Sequence, residues 1–252
     1  MRLLFIGDVN GEDGVKYLAS NIEEIKKKYK INVVIANGEN AAEGKGITSK
    51  LYKDFMKMGV NAITMGNHAF SNKEIDKLLE ENANIVVPAN FPSYLKNGHL
   101  TIKYNNETIT IINILGRVYM NLPIDCPFRT AKRIIDEVKS DYYIIDIHAE
   151  ATSEKITFAH YLDGIKGAIL GTHTHVPTCD ETVLEKGTFY ITDVGMTGPL
   201  DGIIGADRDL ITERFLEGRP TRLVMAKGRM QLNAVVIDFD NKKIERINIK
   251  DK

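Results

Sequence analysis

The period of the hydrophobic positions changes along the chain, and each change marks an element. Leu3 to Ile6 is a short apolar run, followed by Val15, Leu18, Ile22, Ile25 and Tyr29 at three- and four-residue steps, with Glu23, Lys26, Lys27 and Lys28 on the opposite face. That pattern predicts a core strand and then an amphipathic helix. It repeats with Val33 to Ala36 and a helix turned inward at Leu51, Phe55 and Met58, then with Ala62 to Met65 and a helix carrying Ile75, Leu78 and Leu79. Continuous apolar strands separated by helices imply a parallel sheet buried on both faces and joined by right-handed crossovers.

The middle of the chain breaks this rhythm. Leu100 to Tyr104 and Thr108 to Ile114 flank Asn105-Asn106-Glu107, which predicts a hairpin and a sheet that becomes mixed. A helix with Ile134, Ile135 and Val138 follows, then strands at Tyr143 to Ile147, Ala168 to Leu170 and Phe189 to Thr192, while Val235, Ile237 and Phe239 alternate near the end. No repeat or linker-like stretch interrupts the pattern, so residues 1–252 are expected to form a single α/β domain.

With 43% hydrophobic residues, a chain of 252 residues can bury a large core without disulfides. Two cysteines, Cys126 and Cys179, are too few for a disulfide framework, and no run of 18 apolar residues predicts a membrane span. The expected compartment is a reducing cytoplasm. Lys plus Arg number 33 against 34 Asp plus Glu, so no basic excess is available for binding a nucleic acid backbone by counterion release. An anionic ligand has to be held locally.

Candidate chemistry collects where open α/β sheets bind ligands, at the carboxyl ends of the strands. Asp8 follows the first strand, Glu39 and Asn40 the second, Asn67 and His68 the third, His148 the Tyr143 run, and His173 and His175 the Ala168 run. Taken singly, Gly7-Asp8 and Asn37 to Asn40 also read as turns, and His68 as a structural histidine. Ser71-Asn72-Lys73-Glu74 reads as a capping box, which confines His68 to a short strand-to-helix loop. In Gly171-Thr172-His173-Thr174-His175, residues two apart on an extended segment point to one side and offer two imidazoles to one metal centre. Together these oxygen and nitrogen donors suffice for two divalent ions, with Mn²⁺ or Fe²⁺ favoured, and the absence of a cysteine pair argues against structural zinc. Cys179, near His175, reads as a buried or neutral thiol.

The ordered motifs resemble the calcineurin-like metallophosphoesterases: a leading Asp motif, a second acidic motif, Gly66-Asn67-His68, a lone His148 and Gly171 to His175. The second motif holds Glu39-Asn40, Asn10 stands two after Asp8, and Ala69 follows His68, which sets the chain apart from the generic pattern. Within that superfamily it resembles the YmdB-type branch, the 2',3'-cyclic-nucleotide 2'-phosphodiesterase group. That likeness runs through Asn37 to Ala42, Thr64 to His68, Asp125 to Thr130, His148 to Lys155, Gly171 to Val176 and Ile191 to Pro199. It implies a metallophosphoesterase-type α/β sandwich with mixed sheets flanked by helices. It also implies one ion held by Asp8, Glu39, Asn40 and His175, a second by Glu39, Asn67, His148 and His173, with Glu39 bridging and His68 as proton donor. Asn10 and Val15 are not taken into this expected site.

Two divalent ions less Asp8, Glu39 and a bridging hydroxide leave a site of about +1, suited to a phosphodiester monoanion. The hydroxide would attack phosphorus while His68, as imidazolium, protonates the departing oxygen, which for a 2',3'-cyclic nucleotide is the ribose 2'-oxygen. A phosphomonoesterase or nucleotidase, and a non-catalytic metal-dependent regulator that binds RNA or nucleotides, are the rival readings. Cyclic nucleotides, RNA ends and other phosphodiesters stay open as substrates, and a homo-oligomer stays open as the assembly. Phe128 and Arg129 read equally well as a substrate wall and as packing or subunit-contact residues.

Overall fold

A computed structural model describes residues 1–91 and 98–252. The chain opens with β1 (Arg2–Ile6) and the two-residue β2 (Asp8–Val9), then runs through α1 (Gly11–Tyr29), β3 (Val33–Asn37), α2 (Ser49–Lys57), β4 (Ala62–Thr64), α3 (Glu74–Glu80) and β5 (Ile85–Val86). Strands β1, β3, β4 and β5 lie side by side in parallel, as the repeating strand–helix pattern requires. There follow β6 (His99–Tyr104), β7 (Glu107–Leu115), α4 (Pro127–Glu137), β8 (Tyr142–His148), α5 (Thr152–Leu162), β9 (Gly167–Thr172), β10 (Thr182–Val183) and β11 (Phe189–Ile191). The chain returns through β12 (Met196–Pro199), α6 (Arg208–Glu217), β13 (Met230–Asp238) and β14 (Lys243–Lys250).

These strands build two mixed sheets. One has the order β2-β12-β13-β1-β3-β4-β5 with β14 paired to β13, the other β10-β11-β9-β8-β7-β6. The pleat of β1 shows why both stack. Leu4 and Ile6 point to one side, into a cluster with Leu18, Ile22, Leu51 and Phe55 of α1 and α2. Leu3 and Phe5 point to the other, against Ile109, Ile111, Ile144 and Leu170 of the second sheet. Beyond that sheet, Ile112, Ile145 and Ile147 meet Ala131 and Ile134 of α4 and Phe158 and Leu162 of α5. The result is helix, sheet, sheet, helix. Each Leu or Ile so buried contributes roughly 1.5–3 kcal/mol, which is why the strands are apolar on both faces.

Four features differ from the sequence pattern. The hairpin β6–β7 belongs to a second sheet rather than extending the first, and its loop is only Asn105-Asn106, because Tyr104 pairs with Glu107. The alternation at Val235 and Ile237 marks one face of a central strand, whose other face, Leu232, Ala234 and Val236, is also buried. The capping box does not close. Asn72 Oδ1 accepts from the Glu74 N–H at 3.0 Å, and the Glu74 carboxylate instead accepts from the Ser49 N–H at 2.9 Å, at the start of α2. Cys179 is exposed rather than buried; both cysteines are free thiols. Helices α5 and α6 and strands β2, β5, β10, β12 and β14 were not legible, and α6 buries none of its residues. No helix among the described residues is long and apolar enough to cross a membrane.

Candidate metal centre

The carboxyl ends of strands from both sheets meet at one edge. Gly7 lets the chain leave β1, since a Cβ there would strike the Gly195 carbonyl, and Asp8 then pairs in parallel with Met196 of β12. Asp8 is fully buried. Glu39 lies in the turn after β3, where its N–H donates to Asn37 Oδ1 at 3.1 Å. Asn67 and His68 occupy the loop after β4, and Gly66 before them must lack a side chain because a Cβ would meet Glu39 Oε2 and His148 Nε2. His148 is the last residue of β8 and is fully buried.

His173 and His175 follow β9 with φ of 100° and 65°. Both are left-handed, which costs an L residue of order 1–3 kcal/mol unless its surroundings impose it. The segment is therefore not extended, and the two rings do not share one centre. His173 Nδ1 lies 3.0 Å from His148 Nε2, whereas His175 Nε2 lies 3.1 Å from Asn40 Nδ2 and 3.9 Å from Asp8 Oδ1.

Around His148 Nε2 the donor atoms are crowded. Asn67 Oδ1 is 2.9 Å away, Glu39 Oε1 3.0 Å and His173 Nδ1 3.0 Å. His173 Nε2 faces Glu150 Oε2 at 3.1 Å and must carry a proton there, so Nδ1 presents a lone pair. Three acceptors thus converge on one ring nitrogen. A single proton can satisfy one of them well; a divalent ion satisfies all four atoms. Bonds of about 2.1 Å at right angles also place neighbouring ligands about 3.0 Å apart. Burial favours the neutral ring, yet Glu39, Asp8 and Asp146 outweigh it and hold His148 up at about 9. Burial likewise opposes the charge on Glu39, but His148 and His68 hold its carboxyl down at about 2. Burial, with His148 beside it, takes His173 down to about 3.

The second group is Asp8, Glu39, Asn40 and His175. His175 Nδ1 is 2.8 Å from the Ile204 carbonyl, which can only accept, so Nε2 turns its lone pair to Asn40 and Asp8. Asp8 Oδ2 accepts from the His173 N–H at 3.1 Å, while its buried Oδ1 has no partner. Such an orphaned carboxylate oxygen, beside a lone pair on His175, is what a cation would relieve. Burial raises Asp8 against the pull of His175 and His148. Asn40 Nδ2 contacts Glu39 Oε1 at 3.2 Å as well as His175; a half-turn of the amide presents Oδ1 at the same place. The donor set fits two divalent ions sharing Glu39.

His68 sits at the rim, half-buried. Its N–H donates to Glu39 Oε2 at 3.0 Å, which aims the loop and leaves the ring free of the donor cluster. Burial, helped by Lys45, His148 and His175 and opposed by Glu39, pushes the ring below its ordinary value.

A family model described as "YmdB-like protein" matches residues 4–251. The chain belongs to the YmdB-like family. It is 47% identical to a Bacillus subtilis protein named 2',3'-cyclic-nucleotide 2'-phosphodiesterase, over 100% of this chain and 98% of that one. A solved structure described as a novel phosphatase of Mycoplasma pneumoniae superposes with a TM-score of 0.92 at 36% identity, covering 99% of this chain and 93% of its own. The NAD nucleotidase of Haemophilus influenzae, at 17% identity and TM-score 0.52 over 100% of this chain and 55% of that one, shares the fold alone. The fold is thus the metallophosphoesterase α/β sandwich with mixed sheets flanked by helices.

In this YmdB-like protein Phe128 and Arg129 stand apart from the cluster. Phe128, at the start of α4, packs on Phe158 and Tyr161 of α5, with ring centroids 5.5 Å away in each case. Arg129 is exposed. Other residues, left out of the expected site, stand behind the donors. Asn10 donates to the same Ile204 carbonyl that holds His175, at 3.3 Å. Buried Lys155 pairs with Asp193 at 2.7 Å, and Asp193 also receives the Thr174 N–H and hydroxyl, bracing the loop that carries both histidines. Nothing in the spacing of these residues betrays them. Lys155 and Asp193 are buried charges, which have to be paired.

Proposed function

We propose that this YmdB-like chain is a metal-dependent phosphodiesterase that hydrolyses 2',3'-cyclic nucleotides, with two ions, Mn²⁺ or Fe²⁺, at the edge where the two sheets meet. The observation that carries the reading is the crowd of acceptors around His148 Nε2, with a rim histidine beside it. The full-length likeness to a protein named for that activity supports the choice of substrate. Asp8, Glu39, Asn40 and His175 would hold one ion and Glu39, Asn67, His148 and His173 the other. The ions supply positive charge and a water acidified enough to attack near neutral pH.

The protein's own residues do the rest. With the ions bound, the cluster would carry a net positive charge and draw the phosphodiester monoanion, which answers the lack of a basic excess in the chain. Its arrival opposes the depression of His68 and charges the ring where a proton is needed. His68 then gives that proton to the ribose 2'-oxygen as the bond from phosphorus to that oxygen breaks and the water oxygen, one of its protons already released to solvent, bonds to phosphorus, leaving the 3'-nucleotide. Metal-stripped protein reconstituted with Mn²⁺, Fe²⁺, Mg²⁺ or Zn²⁺ should be assayed on 2',3'- and 3',5'-cyclic nucleotides, nucleoside monophosphates and bis-p-nitrophenyl phosphate. Turnover of the 2',3'-cyclic substrates to 3'-nucleotides above the rest is expected. Preference for monophosphates would replace the diesterase by a phosphatase, and no turnover with any ion would replace it by a binding protein.

A further inference from the structure

Behind the donors lies a carboxylate that the proposed reaction does not use. Asp146 interrupts the apolar run of β8 and is fully buried between the two sheets. Its Oδ2 accepts from Thr64 Oγ1 at 2.5 Å and Asn37 Nδ2 at 2.9 Å, and its Oδ1 from Thr172 Oγ1 at 2.6 Å. Thr172 Oγ1 in turn lies 2.8 Å from His148 Nδ1. A hydroxyl has one proton, and Thr172 directs it at Asp146, so the proton on the other side sits on Nδ1. His148 Nε2 is then left to face Glu39, Asn67 and His173. In the opposite direction, Asn37 spends its amide protons on the Met65 carbonyl, at 3.1 Å, and on Asp146, which frees its Oδ1 for the Glu39 N–H.

We propose that Asp146 is a positioning residue that registers the two sheets of the site against each other. Through Thr172 it fixes the Nδ1–H form of His148, on the second sheet; through Asn37 it anchors the Glu39 turn, on the first. What suits a carboxylate to this place is that it only accepts, so it imposes a direction on both hydrogen-bond chains at once. Asparagine has the same shape and cannot do this. With its amide one way, its NH₂ meets the Asn37 NH₂, donor against donor. With the amide the other way, it donates to Thr172, the hydroxyl reverses toward Nδ1, and the His148 proton moves to Nε2, where an ion would bind.

This inference rests on the metal-site reading, and a binding measurement separates the two. Metal-stripped wild type, Asp146→Asn, Thr172→Val, Thr172→Ser and the Asp146→Asn/Thr172→Val double variant are titrated with Mn²⁺ by EPR, with thermal unfolding as the control for folding. Asp146→Asn and Thr172→Val should each weaken Mn²⁺ binding by about 10- to 100-fold. Thr172→Ser, which keeps the hydroxyl, should bind like wild type. The double variant should be no weaker than the weaker single one, because both changes break one chain. In zinc-loaded, ¹⁵N-histidine-labelled protein, the His148 Nδ1–H proton should resonate at the same downfield position in wild type and Thr172→Ser and move upfield in Thr172→Val, where its hydrogen-bond acceptor is gone. Folded Thr172→Val with wild-type Mn²⁺ affinity, or losses that add in the double variant, would overturn the inference while leaving the metal site intact. Wild type that takes up no Mn²⁺ would overturn both. Should Asp146→Asn fail to fold, the Thr172 pair decides alone.

Discussion

The His148 side and the His175 side of the site are built by different means. Around His148 the ring is fully buried at the end of a strand, and three donor atoms stand 2.9–3.0 Å from its Nε2. Around His175 the side chain is 11% exposed, Asp8 Oδ1 stands off at 3.9 Å, and the carbonyl that orients the ring belongs to Ile204, a residue 53% exposed. Strand pairing supplies rigidity on the first side; a loop supplies it on the second. The inner donors therefore stand at ligand spacing, and the outer ones stand farther apart. Glu39, the residue common to both, is the test of whether they are one site.

The largest effect comes from that residue. Glu39→Gln removes the charge offered to both positions, so the folded variant should retain neither ion, and activity should fall by more than the roughly 100-fold that loss of an outer partner costs. Metal analysis that finds two ions per folded Glu39→Gln chain would break the link between the two sides.

His68 belongs to neither side, and its removal should leave both intact. His68→Ala should bind two ions and lose about 10²- to 10⁴-fold in rate on 2',3'-cyclic AMP, but much less on bis-p-nitrophenyl phosphate, whose leaving group needs little protonation. Equal losses on the two substrates would make His68 a phosphate-positioning group, and loss of an ion would place it among the ligands.

The contrast between the sides is itself measurable. Mn²⁺ titration of wild type should resolve two classes of ion, the inner at least about tenfold tighter, a difference of about 1.4 kcal/mol. His175→Ala should abolish the weaker class and spare the tighter one, whereas His148→Ala should do the reverse or lose both. Two equal classes, or the tighter one lost with His175, would invert the comparison.

The smallest expected effect is on pH. In metal-free protein His148 is held up at about 9, above its ordinary value of 6.5. The folded state then binds this proton more tightly than the unfolded chain, so the stabilisation is complete below pH 6.5 and is lost as pH rises through about 9. The unfolding temperature of metal-free protein should fall by a few degrees across that window. With an ion in the inner position in place of the proton, this decline should vanish; an identical decline in loaded protein would show that the proton and the ion do not compete for His148.

Much of this architecture was legible because it depends on local period. The βαβ order and the collection of Asp8, Glu39, Asn67, His68 and His148 at strand ends need only apolar runs and the polar residues that terminate them. The features that were not legible depend on distant partners. Asp146 is the one carboxylate in the run Tyr142–His148, and Thr172, Thr64 and Asn37, which satisfy it, are 26, 82 and 109 residues away. The spacing of His173 and His175 suggested a common direction; contacts to Asp8 and Asp193 impose left-handed backbones that send the rings apart. Strand β14 was missed because, with only three isoleucines among charged and polar side chains, it gives a weak signal, and α6 because it buries nothing from which a period could be read.

Crystals soaked in Mn²⁺ and measured at the manganese absorption edge test the central claim most directly. Two anomalous peaks about 3.5–4 Å apart are expected, with Glu39 between them, one peak beside Asn67, His148 and His173 and the other beside Asp8, Asn40 and His175. A single peak, or a second one that Glu39 does not touch, would contradict a shared binuclear site.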